Sequence, residues 1–134
     1  MIVADANVLV YLCLPGQFNA EAAICLKKDP QWVSPLLWRS EYRNVLAIYL
    51  RKGLLNLAEA KLAYQKAEKT LNGQELSVPA EDVLDLVFQS ICSAYDCEYV
   101  ALARKLGVKL VTKDAKVLRE FPHDAIDLEM FVRP

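Results

Sequence analysis

Short apolar runs alternate along the chain with longer segments in which apolar residues recur at helical spacing. The short runs predict five strands, at residues 2–4, 32–34, 76–78, 108–112 and 126–128. The longer segments predict a short helix up to residue 12, and further helices at residues 19–28, 35–52, 56–71, from 79 onward, 95–106 and 115–120. Asn19 is expected to cap its helix, and Pro35 suits the first position of the next one. This alternation predicts an α/β fold with a mostly parallel sheet that helices cover on both faces.

Polar residues interrupt the first apolar run. In MIVADANVL the run stops at Asp5 and Asn7 before Val8 resumes it, and Asp114 stands just beyond the fourth predicted strand. Ligands of an open parallel sheet bind outside the carboxyl ends of its strands, so Asp5 and Asp114 could face one crevice. Each also has a structural interpretation, because Asp5 could close an Asx-turn and Asp114 could cap the following helix.

Two further acids lie on helix faces that the pattern turns inward. Glu41 falls in the middle of the apolar stripe of the helix at 35–52, and Asp96 shares a face with Tyr99 on the helix at 95–106, whereas Glu98 is expected to be solvated. A carboxylate on a core-facing stripe needs a partner. For Glu41 the structural alternative is a salt bridge to an arginine, and for Asp96 it is a capping box with Ser93.

If these four acids converge, their charges must be neutralised. Two like charges ~4 to 5 Å apart repel by roughly 3 to 4 kcal/mol at an effective dielectric near 20. The four cysteines form no C-x-x-C pair and His123 is the only histidine, which argues against zinc. Oxygen ligands suit Mg²⁺ or Mn²⁺, and such a cation beside a phosphodiester promotes its hydrolysis by water.

Composition limits the number of domains and the cellular location that the sequence predicts. With 134 residues, 54% of them hydrophobic, the chain has material for one core, so a single domain over residues 1–134 is expected. The net charge of -1 conceals an acidic block at residues 75–98 and a basic block at 104–119. No signal peptide and no membrane-spanning run is predicted, so a cytoplasmic location is expected.

Four segments resemble PIN-domain ribonucleases, and in particular the short VapC-type toxins of prokaryotic toxin-antitoxin pairs. The segments occur in the same order and spacing as in that family: ADANVLVYL, LWRSEYRNVL, AYDCEYVALARKLGVKLVTKD and KVLREF. The resemblance implies a three-layer fold around a parallel sheet. It makes Asp5, Glu41, Asp96 and Asp114 the acidic metal-binding quartet, with Asn7 and Thr112 as accompanying polar residues.

The resemblance also implies Mg²⁺- or Mn²⁺-dependent cleavage of RNA, homodimerisation, and inhibition by a small antitoxin protein. Residues 35–71 would form the projecting helical hairpin that carries the dimer and antitoxin contacts. Five basic residues near the acids are expected to contact RNA phosphates: Arg39, Arg43, Lys113, Lys116 and Arg119.

Two other protein classes with an aspartate after the first strand fit the sequence less well, and the main alternative is a different role for the same fold. Haloacid-dehalogenase-like phosphatases require D-x-D, and here Asn7 stands at the third position. Receiver domains need a second acid beside Asp5, which is absent. A protein of the same fold could also act without catalysis as a protein-binding module, or serve in housekeeping RNA processing.

Overall fold

Five short strands form one parallel sheet in the computed structural model, which describes residues 1–134. The strands lie in the spatial order β3-β2-β1-β4-β5, and every neighbouring pair is parallel. Their bounds are Ile2–Ala4 (β1), Trp32–Pro35 (β2), Glu75–Leu76 (β3), Leu110–Thr112 (β4) and Ala125–Asp127 (β5). The α/β class and the parallel sheet predicted from the pattern are confirmed.

Eight helices connect and flank these strands. Their bounds are Ala6–Cys13 (α1), Asn19–Lys28 (α2), Trp38–Arg51 (α3), Leu57–Leu71 (α4), Ala80–Gln89 (α5), Ala94–Leu106 (α6), Ala115–Glu120 (α7) and Leu128–Val132 (α8). No helix has the length and apolar character needed to cross a bilayer.

The sheet separates two hydrophobic cores, which makes the fold three-layered. Because side chains alternate across a strand, Ile2 and Ala4 of β1 pack into one core and Val3 packs into the other. The first core is completed by helices α1 to α4 and α8, and the second by α5 to α7. Apart from Ala6 at the start of α1, which packs into the second core, each core has its own helices and the two share the sheet.

Three details differ from the prediction. Pro35 ends β2 instead of opening a helix, and α3 begins only at Trp38. Asn19 does not cap α2, because its side-chain amide donates to backbone carbonyls of Tyr11 and Leu12 while Phe18 takes the cap position. Helix α8 was not predicted, although Asp127 caps it by accepting from two backbone amides.

The sheet edge at β3 is held to the α3–α4 pair by one arginine. The Arg39 guanidinium makes two hydrogen bonds to the Glu75 carboxylate, at 2.6 and 2.8 Å, and one to Glu68 at 2.8 Å. It also donates to the Tyr64 hydroxyl at 2.7 Å. This network fixes the start of α3, which carries Glu41, against β3 and α4.

Candidate active site

Polar side chains from four elements meet in one cleft at the carboxyl end of the sheet. The cleft has a volume of about 290 Å³. Asp5 enters it from the end of β1, Glu41 from the first turn of α3, Asp96 from the first turn of α6 and Asp114 from the start of α7, and Asn7 also lines it. The structure thus brings together all four acids singled out in the sequence.

Asp5 is held by a fully buried threonine. The Thr112 hydroxyl donates to Asp5 Oδ2 at 2.6 Å, while its oxygen accepts the backbone amide of Asp114 at 3.0 Å. The Asp5 carboxylate makes no capping hydrogen bond to α1. Burial raises its pKa to about 6, and the nearby charges of Glu41 and Asp96 add to this against the lowering effect of Thr112. The Asp5 carboxyl therefore loses its proton only as the pH rises above about 6.

Asp114 has both of the roles considered from sequence. Its Oδ1 accepts the backbone amides of Lys116 at 2.9 Å and Val117 at 3.2 Å, so it caps α7. Its side chain also lines the cleft. The cap uses one oxygen, which leaves the other carboxylate oxygen for the cleft, and the cap fixes the side-chain rotamer.

Glu41 and Asp96 face the cleft from opposite layers of the fold. Glu41 forms no ion pair with arginine, since its partner is the Tyr99 hydroxyl, which donates to Oε1 at 2.6 Å. Burial raises the pKa of Glu41, and the charges of Asp96 and Glu98 raise it further. For Asp96, Ser93 caps α6 by accepting the Asp96 amide at 3.1 Å, and burial with the Asp114 charge raises its pKa.

The donor set of the cleft fits a hydrated divalent cation. No three of its carboxylates are close enough together to coordinate one cation directly. Mg²⁺ does not need three, because it retains several waters and is commonly held by one or two carboxylates. The raised pKa values of Asp5, Glu41 and Asp96 show unrelieved burial and repulsion, which a cation would offset.

Three features in or beside the cleft were not predicted from the sequence. Asn44 lines the cleft one helical turn after Glu41 on α3. Tyr99, three residues after Asp96, is the Glu41 partner. Glu98 is partly buried, contrary to its expected full solvation, and burial raises its pKa. Helical spacing from the predicted acids was the signal that could have identified Asn44 and Tyr99.

The five basic residues expected to bind RNA lie in three different settings. Arg39 forms ion pairs with Glu75 and Glu68, and Lys113 forms ion pairs with Asp127 and Glu129 at 2.9 and 2.8 Å, so both side chains already have acidic partners within the fold. Arg43 lies in a groove between α3 and α4, away from the cleft. The remaining two are exposed on α7 and form no ion pair: Lys116 and Arg119.

Sequence and structure comparisons point to one family. The model of the PIN domain matches residues 2–123. The curated Ribonuclease VapC3 of Pyrobaculum aerophilum is 28% identical over 124 residues, covering 90% of this chain and 95% of the relative.

Solved structures agree on the fold. The crystal structure of PAE2754 from Pyrobaculum aerophilum matches with a TM-score of 0.79 at 25% identity, over 98% of this chain and 92% of that chain. FitAcB from Neisseria gonorrhoeae matches with a TM-score of 0.74 at 17% identity, over 96% of this chain and 99% of that chain. Because the family model spans nearly all of the sequence, the chain belongs to the PIN domain family.

Proposed function

We propose that this protein is a metal-dependent endoribonuclease that hydrolyses RNA phosphodiesters and acts as the toxin of a toxin-antitoxin pair. The observation that carries the proposal is the convergence of Asp5, Glu41, Asp96 and Asp114 in one cleft. The similarity to a curated ribonuclease over 90% of the chain supports RNA as the substrate. An intact set of four acids argues against a non-catalytic module, since a disused site would be free to lose them.

In this proposal the chain prepares the cleft for Mg²⁺ or Mn²⁺. When bound, such a cation lowers the pKa of the attacking water and neutralises charge on the phosphate and the leaving oxygen. Asp5 is oriented by Thr112, and Asp114 is oriented by its cap on α7. Glu41 has a raised pKa, so it holds a proton more readily than an exposed glutamate and suits proton exchange with water in the cleft.

RNA binding is assigned to the exposed cations next to the acids. Lys116 is close to Asp96, and its positive charge offsets part of the rise in the pKa of that carboxyl. Lys116 and Arg119 both lie on α7 and form no ion pair within the chain. Their positive charges would attract the RNA phosphates that flank the scissile bond. Without a cation the four acids would repel the same phosphates, so we expect RNA and cation binding to support each other.

The antitoxin and the second subunit require exposed apolar surface. A groove of about 400 Å³ between α3 and α4 is lined by Leu46, Leu50 and Tyr64, within the hairpin at 35–71. We assign this groove to an apolar helix of the antitoxin, because amphipathic helices bind such grooves. One of the structural relatives is the FitAB pair bound to a DNA fragment, with a TM-score of 0.70.

The proposed location of the protein is the cytoplasm, where RNA is present and all four cysteines stay reduced.

The test uses purified protein, free of any partner, with RNA in Mn²⁺ and in EDTA. Asp96→Asn should lower cleavage by at least about 100-fold, because it removes a direct ligand and losing even an outer-shell partner costs 10–100-fold. Asp85→Asn is the matched control, since Asp85 is exposed on α5 outside the cleft. Cleavage that survives both EDTA and Asp96→Asn would refute the mechanism.

The toxin role is tested separately from the chemistry. A short reading frame adjacent to this one, encoding a DNA-binding protein, should yield a product that co-purifies with this chain and inhibits it. If the chain cleaves RNA but has no such neighbour, housekeeping RNA processing is the better function.

A further inference from the structure

The Tyr99 hydroxyl connects the two helical layers at the cleft. Tyr99 lies on α6 and is only 2% exposed, yet its hydroxyl donates to Oε1 of Glu41 on α3, which belongs to the other layer. Glu41 Oε2 accepts no hydrogen bond, and the structure contains no buried side-chain oxygen without a partner. Oε2 is therefore accessible, and Glu41 lines the cleft.

Almost every buried tyrosine hydroxyl forms a hydrogen bond, so the bond alone says little about the role of Tyr99. The identity of the acceptor says more. Tyr42 provides the comparison within this chain. It is fully buried, and its hydroxyl donates to the backbone carbonyl of Ala63 at 2.8 Å. Tyr99 instead binds a carboxylate, and a short bond to a charged acceptor is both stronger and more directional than one to a carbonyl.

We infer that Tyr99 is a positioning residue, which holds Glu41 by Oε1 and thereby presents Oε2 to the cleft. The inference rests on the proposed function of the cleft. A glutamate has three side-chain torsions, and a misplacement of about 1 Å in a catalytic group can cost 10²-fold in rate. Locking one oxygen to a rigid phenol in the core removes that freedom before cation or substrate arrives.

Tyr99 acts in this way as a permanent donor. Its hydroxyl donates to Glu41 Oε1 at 2.6 Å, and a phenol keeps its proton throughout the neutral pH range. It orients Glu41 and neither supplies nor removes a proton.

The experiment compares Tyr99→Phe with Tyr42→Phe in the full-length protein. Each change deletes one buried hydroxyl. Tyr99→Phe should weaken Mn²⁺ binding, followed by the electron spin resonance signal of free Mn²⁺ without RNA, by about 10-fold, within the range for outer-shell partners. At saturating Mn²⁺ it should lower kcat on RNA by 10- to 100-fold with KM changed less than about twofold. Tyr42→Phe should leave Mn²⁺ affinity, kcat and KM unchanged.

A double-variant comparison covers the case in which Tyr99→Phe alone does not fold. Once Glu41→Gln has removed the carboxylate, adding Tyr99→Phe should leave Mn²⁺ affinity within about twofold of Glu41→Gln alone, because coupled residues are non-additive. A further loss in the double variant would overturn the inference. So would unchanged Mn²⁺ affinity and kcat in Tyr99→Phe, or an equal loss in Tyr42→Phe. Failure of the wild-type protein to bind Mn²⁺ would instead refute the proposed function.

Discussion

At the scale of single residues, the Asp5 carboxylate lies in surroundings that disfavour its charge. It emerges from a strand whose three residues are all buried, and burial raises its pKa to about 6. Above that pH the folded protein must hold an ionised carboxylate where a neutral one is preferred. The folded state binds more protons than the unfolded state between about pH 4 and 6, so stability falls as pH rises through this window.

We therefore predict that Asp5→Asn stabilises the metal-free protein above pH 6. The gain should reach as much as ~3 kcal/mol and disappear below about pH 4, because the amide can still accept the Thr112 hydroxyl. Urea unfolding in EDTA at several pH values measures it, with Asp85→Asn as the surface control. A variant less stable than wild type at pH 7.5 would contradict the prediction.

The residue scale also shows where sequence reasoning stopped. Positions of the acids followed from strand ends and helix faces, and the structure brings Asp5, Glu41, Asp96 and Asp114 together. Their partners were harder to find, because Thr112 reaches Asp5 across 107 positions and Tyr99 reaches Glu41 across 58. Thr112 was expected beside the acids only from the family resemblance, and Tyr99 was not identified as a partner of Glu41. The same limit applied to Arg39, whose commitment to Glu75 depends on β3 lying beside β2.

At the scale of elements, local capping signals placed α4 and α6 well, although the Asp127 cap of α8 went unrecognised. Asn56 forms a capping box with Glu59 at the start of α4, and Gly107 ends α6 with a φ of 66°, which glycine adopts without strain. Proline was less reliable. Pro35 fits either a first helical turn or the end of a strand, and its buried place beside β3 decided for the strand.

We predict that Asp114→Ala and Asp114→Asn separate the cap from the chemistry. Both changes remove the charge and should abolish cleavage. Asparagine caps a helix about as well as aspartate, whereas alanine does not, so Asp114→Ala should be less stable than Asp114→Asn by about 1 kcal/mol. Urea denaturation of the two variants measures the difference. Equal stabilities would mean that the cap contributes nothing to α7.

At the scale of the whole molecule, the charge blocks of the sequence do not form two separate surfaces. Asp82 and Asp85 of α5 line a groove together with Arg104 and Lys105 of α6. The unpaired cations of α7 lie elsewhere, and Lys116 is close enough to Asp96 to affect the pKa of that carboxyl. The proposed RNA site therefore has positive charge beside it, although the chain as a whole is almost neutral.

We predict that Lys116→Ala and Arg119→Ala each weaken RNA binding and reduce the slope of log affinity against log salt by about 1. Fluorescence anisotropy across a salt series, in the cleavage-deficient Asp96→Asn background, measures both quantities. Arg39→Ala is the contrasting variant, since its guanidinium is paired within the fold. It should lower stability and leave the salt slope unchanged; the reverse pattern would restore Arg39 to the RNA surface.

We propose that an exposed apolar strip on α5, the α5–α6 loop and the start of α6 forms the contact with a second copy. Leu84, Phe88, Ile91 and Tyr95 are between 62% and 93% exposed. In a two-fold antiparallel pair, the acids at the start of α5 of one copy would face the α7 cations of the other. This differs from the dimer contact expected on the hairpin, and leaves the α3–α4 groove to the antitoxin.

We predict that Phe88→Ser shifts the protein toward monomer, because it removes the most exposed aromatic of the strip. Sedimentation velocity over a concentration series measures the shift. Met130→Ser, at a 52% exposed position on α8, should leave the association unchanged. If Phe88→Ser associates like wild type, the dimer contact lies elsewhere, with the hairpin as the next surface to substitute.

The order of strands in the sheet divides the protein along its chain. Strands β3, β2 and β1 come from the first 76 residues and β4 and β5 from the rest, so one interruption in the Ser77–Pro79 connection would split the sheet between neighbouring strands. Asp5 and Glu41 would stay with one piece, Asp96 and Asp114 with the other. Neither fragment would hold more than half of the acids, so nuclease activity would appear only on reassembly, and the chain could serve as a split reporter.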